Sequence, residues 1–163
     1  MESVEAEKER QPQDEAGSSR ISPEQWFLDL GKLREKLSSQ GPLDTVVGIH
    51  RSGLMVAVYL SNQLSLPMFT LFNLDHIPRQ FERIAVVDTS AWTGRSMRRA
   101  LRKVAAACPW AETVPACLYI DCERGVRVEG LIFVRCLAGV PKFFWERGYL
   151  KKQGEGEETG GLP

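Results

Sequence analysis

Apolar residues recur at helical spacing early in the chain, where Trp26, Phe27, Leu30, Leu33 and Leu37 form one stripe. Just before it, Ser22-Pro23-Glu24-Gln25 reads as a helix start, with Ser22 as N-cap, Pro23 in the first helical position and Gln25 completing a capping box. Gly41-Pro42 ends the element. Residues 45–49 (Thr-Val-Val-Gly-Ile) are an unbroken run suited to a strand buried on both faces. His50-Arg51-Ser52-Gly53 separates that run from an apolar helix over Leu54 to Leu64. A second strand is predicted at 67–72, a polar stretch at 73–82, and a third strand at 83–88. The loop Thr89 to Gly94 then opens a helix that runs to about Ala107, and further strands are expected at 113–120, 131–135 and 142–146.

Strands alternating with helices through short loops predict an α/β domain: a doubly wound, mostly parallel sheet flanked by helices. A single domain over residues 21–150 accounts for all of these elements. Residues 1–20 are rich in Glu, Gln, Ser and Pro with little to bury, and read as a disordered acidic segment; residues 151–163 read as a disordered tail. Open parallel sheets take ligands beyond the carboxyl ends of their strands, so the loops 50–53 and 88–96 are the expected seat of function.

Composition narrows the field. The 163 residues are 43% hydrophobic, which suits one soluble globular domain. No apolar run approaches a membrane span, and the polar start does not resemble a secretory signal, so a cytoplasmic protein is expected. Formal charge is zero, yet residues 1–20 hold six acids and three bases and residues 151–163 three acids and two bases. That leaves twelve acids against sixteen bases between them, a mild positive balance that suits a small anionic ligand and does not call for nucleic acid. Cys108, Cys117, Cys122 and Cys136 lack zinc-site spacing; Cys117 and Cys136 lie in apolar runs and read as small buried thiols, reduced in a cytoplasmic setting.

The segment from Arg83 to Met97 carries the chemistry. A hydrophobic strand delivers Asp88 at its carboxyl end, small hydroxylated residues follow, Gly94 permits close backbone approach, and a helix begins. Amides at a helix start, with the hydroxyls of Thr93 and Ser96, make an anion hole for a phosphate monoester. The acid before it can accept hydrogen bonds from sugar hydroxyls, which together suggest a ribose 5-phosphate. Helix capping by Asp88 and Thr93 is the plainer use of the same residues. Arg51, whose guanidinium pairs bidentately with phosphate oxygens, is expected at the same crevice, with a solvated loop arginine as the plainer reading. Two uses fit Trp92: a wall against a nucleobase, or packing under the adjacent loop. Arg95, Arg98, Arg99 and Arg102 share a helical face that is either solvated or, at Arg95, part of the anion site. His50 and His76 receive no role.

This segment resembles the PRPP-binding signature of type I phosphoribosyltransferases, an apolar strand, two acids, a short variable stretch and Thr-Gly-Lys/Arg-Thr/Ser. Asp88 matches the first acid and Thr93-Gly94-Arg95-Ser96 the phosphate-binding end. Val46 to Leu54 is similar to the family's pyrophosphate loop, and Phe143-Phe144-Trp145-Glu146-Arg147 to the ending of some hypoxanthine and xanthine phosphoribosyltransferases. The resemblance covers roughly residues 44–148. It implies the family's fold, PRPP and a nucleobase as partners, a purine favoured, and Mg²⁺ held through water by Asp88. It further implies that Thr93, Gly94, Arg95 and Ser96 hold the 5-phosphate, Asp88 and Thr89 the ribose, and Arg51, Ser52 and Gly53 the pyrophosphate. Trp92, Phe144 and Trp145 become base-pocket candidates, although Phe144 and Trp145 also read as core residues of a final strand. A homodimer is compatible with this reading. The chain departs from the pattern at Thr89, which replaces the second acid, at Trp92, which replaces an Asp common in 6-oxopurine enzymes, at Ser52, where Gly is commoner, and in the short 73–82 linker. Those departures keep a second function open: a catalytically inactive module that binds PRPP or a nucleotide. An unrelated flavodoxin-like domain is a third possibility.

Overall fold

A computed structural model describes residues 20–146. The elements follow in the order β1 (Arg20–Ile21), α1 (Pro23–Ser39), β2 (Thr45–Gly48), α2 (Gly53–Leu64), β3 (Met68–Thr70), a short 3-10 helix (Leu74–His76), β4 (Arg83–Ala91), α3 (Arg95–Ala107), β5 (Glu112–Asp121), β6 (Ile132–Leu137) and β7 (Lys142–Phe143). Five strands make one parallel sheet in the order β3-β2-β4-β5-β6. The expected alternation of strand and helix holds from α1 to β5, no helix lies between β5 and β6, and the main sheet is wholly parallel.

Burial separates the two sides of the sheet. Trp26, Leu30, Leu33 and Leu37 of α1 pack with Val56, Ala57 and Leu60 of α2 against Val46, Ala85 and Val87. Met97, Ala100 and Val104 of α3 pack with Leu74 and Ile77 against Val47, Ile84 and Val86. The unbroken apolar runs of β2 and β4 reflect this double covering, since successive side chains serve opposite cores. The 73–82 stretch is tied down by the burial of Leu74 and Ile77 and by Trp110 Nε1 donating to the Phe81 carbonyl at 3.1 Å.

Several expectations are corrected. Arg20, grouped with the polar N-terminal segment, pairs with Lys142 in a two-stranded ribbon apart from the main sheet. Strand β3 ends at Thr70 rather than Phe72, because the Asn73 side chain accepts the Thr70 N–H at 2.7 Å and turns the chain. Strand β4 continues to Ala91, since Ser90 and Ala91 find partners in Tyr119 and Ile120. Strand β7 stops at Phe143, where the Glu146 N–H donates to the Phe143 carbonyl at 2.9 Å and makes a turn. Half of the capping box forms: the Gln25 N–H donates to Ser22 Oγ at 3.2 Å, but the Gln25 side chain donates to Asp29 at 3.0 Å instead. Asp29, fully buried, also accepts from Tyr119 Oη at 3.0 Å and Arg135 Nε at 2.8 Å, a polar knot joining α1 to β5 and β6. Burial, with Asp29 beside it, pushes the Tyr119 hydroxyl pKa upward.

Cys117 is buried as expected, but Cys136 is exposed and bonded to Cys122. The cause is topological: β6 is the edge of the sheet, so an apolar run there is covered less than one in β4. The readings made for residues 1–19 and 147–163, Arg147 included, lie outside the described residues.

Candidate functional site

The chain order fixes where a ligand would enter. From β2 it crosses through α2 to β3 on one side, and from β4 through α3 to β5 on the other, with the two helices on opposite faces. Neighbouring strands β2 and β4 thus send their outgoing loops apart, which opens a crevice at their carboxyl ends. The loop 50–53 follows β2, and the corner 92–94 joins β4 to α3. Both predicted segments meet at this mouth.

Gly53 is the point of contact. A Cβ there would lie 2.7 Å from the Val87 carbonyl oxygen, 3.0 Å from Asp88 Cα and 3.1 Å from Asp88 Oδ1, so only glycine lets the start of α2 rest on the end of β4. Ser52, at the N-cap of α2, hydrogen-bonds the Asp88 carboxyl through its side chain. Arg51 is exposed beside it, and the His50–Arg51 peptide is cis. The loop 50–53 and the acid therefore meet through Ser52 and Gly53.

Asp88 is 9% exposed. Burial pushes its pKa up from 3.8 to about 7, against the hydrogen bonds from Thr89, Ser52 and Ser90 that favour the charged form. The Thr89 N–H donates to Oδ1 at 2.7 Å. A carboxyl poised near neutrality at the mouth of a crevice marks a functional candidate. Thr89 itself is fully buried, and its hydroxyl has no hydrogen-bond partner among the described residues. Cys117, paired with Asp88 across the strands, has its thiol pKa raised by burial and by that acid.

At the helix start Gly94 takes φ +69°, and Thr93, Arg95 and Ser96 are exposed around it. The Arg95 N–H reaches Thr93 Oγ1 at 3.4 Å, a weak self-cap. Gly94 is also roofed: a Cβ would meet Val128 Cγ2 at 2.7 Å and Val126 Cγ1 at 3.1 Å. The β5–β6 loop that supplies these valines was not anticipated, and nothing local to Gly94 in the sequence signals it. Trp92 is half-buried and packs against the core on the α1–α2 side. Phe144 and Trp145 pack there too, with Trp145 stacked on Phe143 at 4.6 Å and set edge-on to Trp26 at 5.5 Å. Arg99 and Arg102 are exposed, while Arg98 turns back onto the corner.

Among the described residues no group of three or more His, Cys, Asp or Glu side chains could hold a metal ion. One carboxyl at the mouth still fits Mg²⁺, which keeps most of its waters and is commonly held by one carboxylate and substrate phosphates. Among the described residues, no helix is long and apolar enough to cross a membrane.

No model of a known protein family matches the sequence, and no curated protein does. Solved structures do. The chain is similar to the xanthine-guanine-hypoxanthine phosphoribosyltransferase of Helicobacter pylori, with TM-score 0.70 and 20% identity over 83% of this chain and 97% of that one. It is similar to a purine phosphoribosyltransferase of Pyrococcus horikoshii, with TM-score 0.68 and 22% identity over 80% and 94%. A hypothetical protein of Neisseria gonorrhoeae with bound ppGpp matches with TM-score 0.67 and 15% identity over 83% and 93%. The fold is that of the type I phosphoribosyltransferases.

Proposed function

We propose that this chain, built on the type I phosphoribosyltransferase fold, transfers ribose 5-phosphate from PRPP to a nucleobase, a purine favoured, and releases pyrophosphate. One observation carries the reading: the arginine loop after β2 rests directly on Asp88 through Gly53, beside a glycine-cornered helix start. A donor with a phosphate at one end and a pyrophosphate at the other needs two such anion sites with a hydroxyl acceptor between them.

In this scheme Arg51 and the backbone of Ser52 and Gly53 hold the pyrophosphate. Thr93, Gly94, Arg95 and Ser96 hold the 5-phosphate. Asp88 accepts from the ribose hydroxyls, and Thr89 stands without charge in the position of the second acid. A ring nitrogen of the base then displaces pyrophosphate at C1 through an oxocarbenium-like state. The chain contributes positioning and charge stabilisation of the leaving group, with no covalent nucleophile. Mg²⁺ bound with the donor would neutralise pyrophosphate charge, with Asp88 reaching it through water. Trp92, Phe144 and Trp145 remain the aromatic candidates nearest to a base. A cytoplasmic address and a homodimer belong to the same reading; a second copy would cover the apolar groove between α1 and α2 lined by Trp26, Phe27, Leu54, Met55, Val58 and Tyr59.

A second reading, ligand binding without turnover, is favoured by the single carboxyl at the corner and by the packing of Trp92, Phe144 and Trp145 into the core. Calorimetry with PRPP and Mg²⁺, run beside a pyrophosphate-release assay over a panel of bases, separates the two. Turnover with a purine supports the transferase, and binding alone supports the sensor. No affinity for PRPP would sink the transferase and leave only a module that binds a nucleotide.

A further inference from the structure

Arg98 ties three parts of the site together. It lies one turn into α3, and its backbone N–H donates to the Gly94 carbonyl at 2.9 Å. Its guanidinium folds back, and Nη1 donates to the Thr93 carbonyl at 3.1 Å and to the Arg127 carbonyl at 2.8 Å. Arg127 belongs to the β5–β6 loop, whose Val126 and Val128 press on Gly94. That loop is anchored at its base by Asp121, which accepts the N–H groups of Glu123 and Arg124 at 2.8 and 3.2 Å.

The bond between Thr93 and Gly94 is a trans peptide, so its C=O and N–H lie in one plane and point in opposite directions. By holding the Thr93 carbonyl toward the β5–β6 loop, Arg98 turns the Gly94 N–H away from that loop. A flipped peptide would present the negative end of its dipole to an incoming anion instead. Glycine at position 94 lowers the barrier to such a flip, because it populates both signs of φ with similar ease. The restraint has to come from outside the turn. A planar guanidinium that meets two carbonyls at once supplies it, whereas an ammonium on a flexible stem holds direction less well.

We propose that Arg98 is a positioning residue for phosphate recognition: it sets the Thr93–Gly94 peptide plane so that the Gly94 amide is aimed at the anion. This rests on the reading that the corner takes the 5-phosphate of a sugar. The test uses the full chain and two probes, ribose 5-phosphate for the corner and Mg²⁺-pyrophosphate for the arginine loop. Arg98→Met keeps the aliphatic stem and removes the donors. It is expected to weaken ribose 5-phosphate binding about tenfold, the scale of one misdirected hydrogen bond to a charged group. Pyrophosphate affinity should stay within about twofold, which also certifies the fold, and Arg98→Lys should recover part of the loss. Unchanged ribose 5-phosphate affinity in Arg98→Met overturns the inference alone, and so does an equal loss for both probes, which would mark a merely structural role. A wild-type chain that binds pyrophosphate but no ribose 5-phosphate overturns the phosphate reading and this inference with it.

Discussion

Replacing Asp88 with Asn separates the cost of the site from its use. In the folded chain burial raises the Asp88 pKa from 3.8 to about 7, a change of roughly 3 units. At about 1.4 kcal/mol per unit, keeping this carboxyl ionised costs about 4 kcal/mol of stability. The sign follows from proton binding. A carboxyl with a raised folded pKa holds its proton in the folded chain after the unfolded chain has lost it. Stability is then full below pH 3.8 and falls as pH rises through 7. Asn is nearly isosteric, can still accept the Thr89 N–H and carries no charge. The variant should therefore exceed the wild type by about 4 kcal/mol at pH 8.5 and by under about 2 kcal/mol at pH 5. Urea unfolding of both proteins at the two pH values reads the difference directly. Adding PRPP and Mg²⁺ at a hundred times the dissociation constant should raise wild-type stability by about 2.7 kcal/mol and leave the variant unmoved. A gap that does not vary with pH, or a variant less stable than the wild type at pH 8.5, refutes the burial argument.

Three further outcomes are expected. Gly53→Ala places a methyl 2.7 Å from the Val87 carbonyl, so urea unfolding should show a loss of about 1–3 kcal/mol together with weaker pyrophosphate binding. Asp29→Ala strips the buried acceptor from Gln25, Tyr119 and Arg135 and should cost about 3–5 kcal/mol in the same assay, with PRPP affinity retained in the folded fraction. Met55→Lys combined with Val58→Lys, at exposed positions on α2, should leave the thermal midpoint nearly unchanged while light scattering shifts from twice the chain mass to 18.3 kDa.

What the sequence disclosed was whatever depends on neighbours along the chain. The stripe of α1, the doubly buried runs of β2 and β4, and the two loops at their ends were all visible from spacing and residue type. Contacts closed over long separations were not. Gln25 meets Asp29 one turn along the same helix, but the Tyr119 and Arg135 partners that hold that acid in the core lie in β5 and β6. Thr89-Ser90-Ala91 looks like a turn because its strand partners lie in β5. From sequence, Gly94→Val reads as a local lesion to the anion loop with the fold left intact; the valines above it make that substitution a packing fault as well.

The site's position and its chemistry have different origins. Any chain wound in the order β3-β2-β4-β5-β6 parts its loops between β2 and β4, so a crevice at that point follows from topology and identifies no ligand. The proposed ligand class rests instead on a few particular residues. Asp88 is buried where its charge is costly, Thr89 leaves a hydroxyl unpaired, and Gly94 turns the chain through a left-handed corner that needs Arg98 to hold it. The first two cost the chain stability, whereas glycine takes the positive φ of the corner at little cost; in the proposed reading a sugar phosphate brings hydroxyls to the acid and an anion to the corner. A crevice lined for stability alone would have filled these positions with apolar side chains and paired donors. The proposed sugar phosphate reading therefore rests on the chemistry of Asp88 and of the Gly94 corner, and not on the crevice itself.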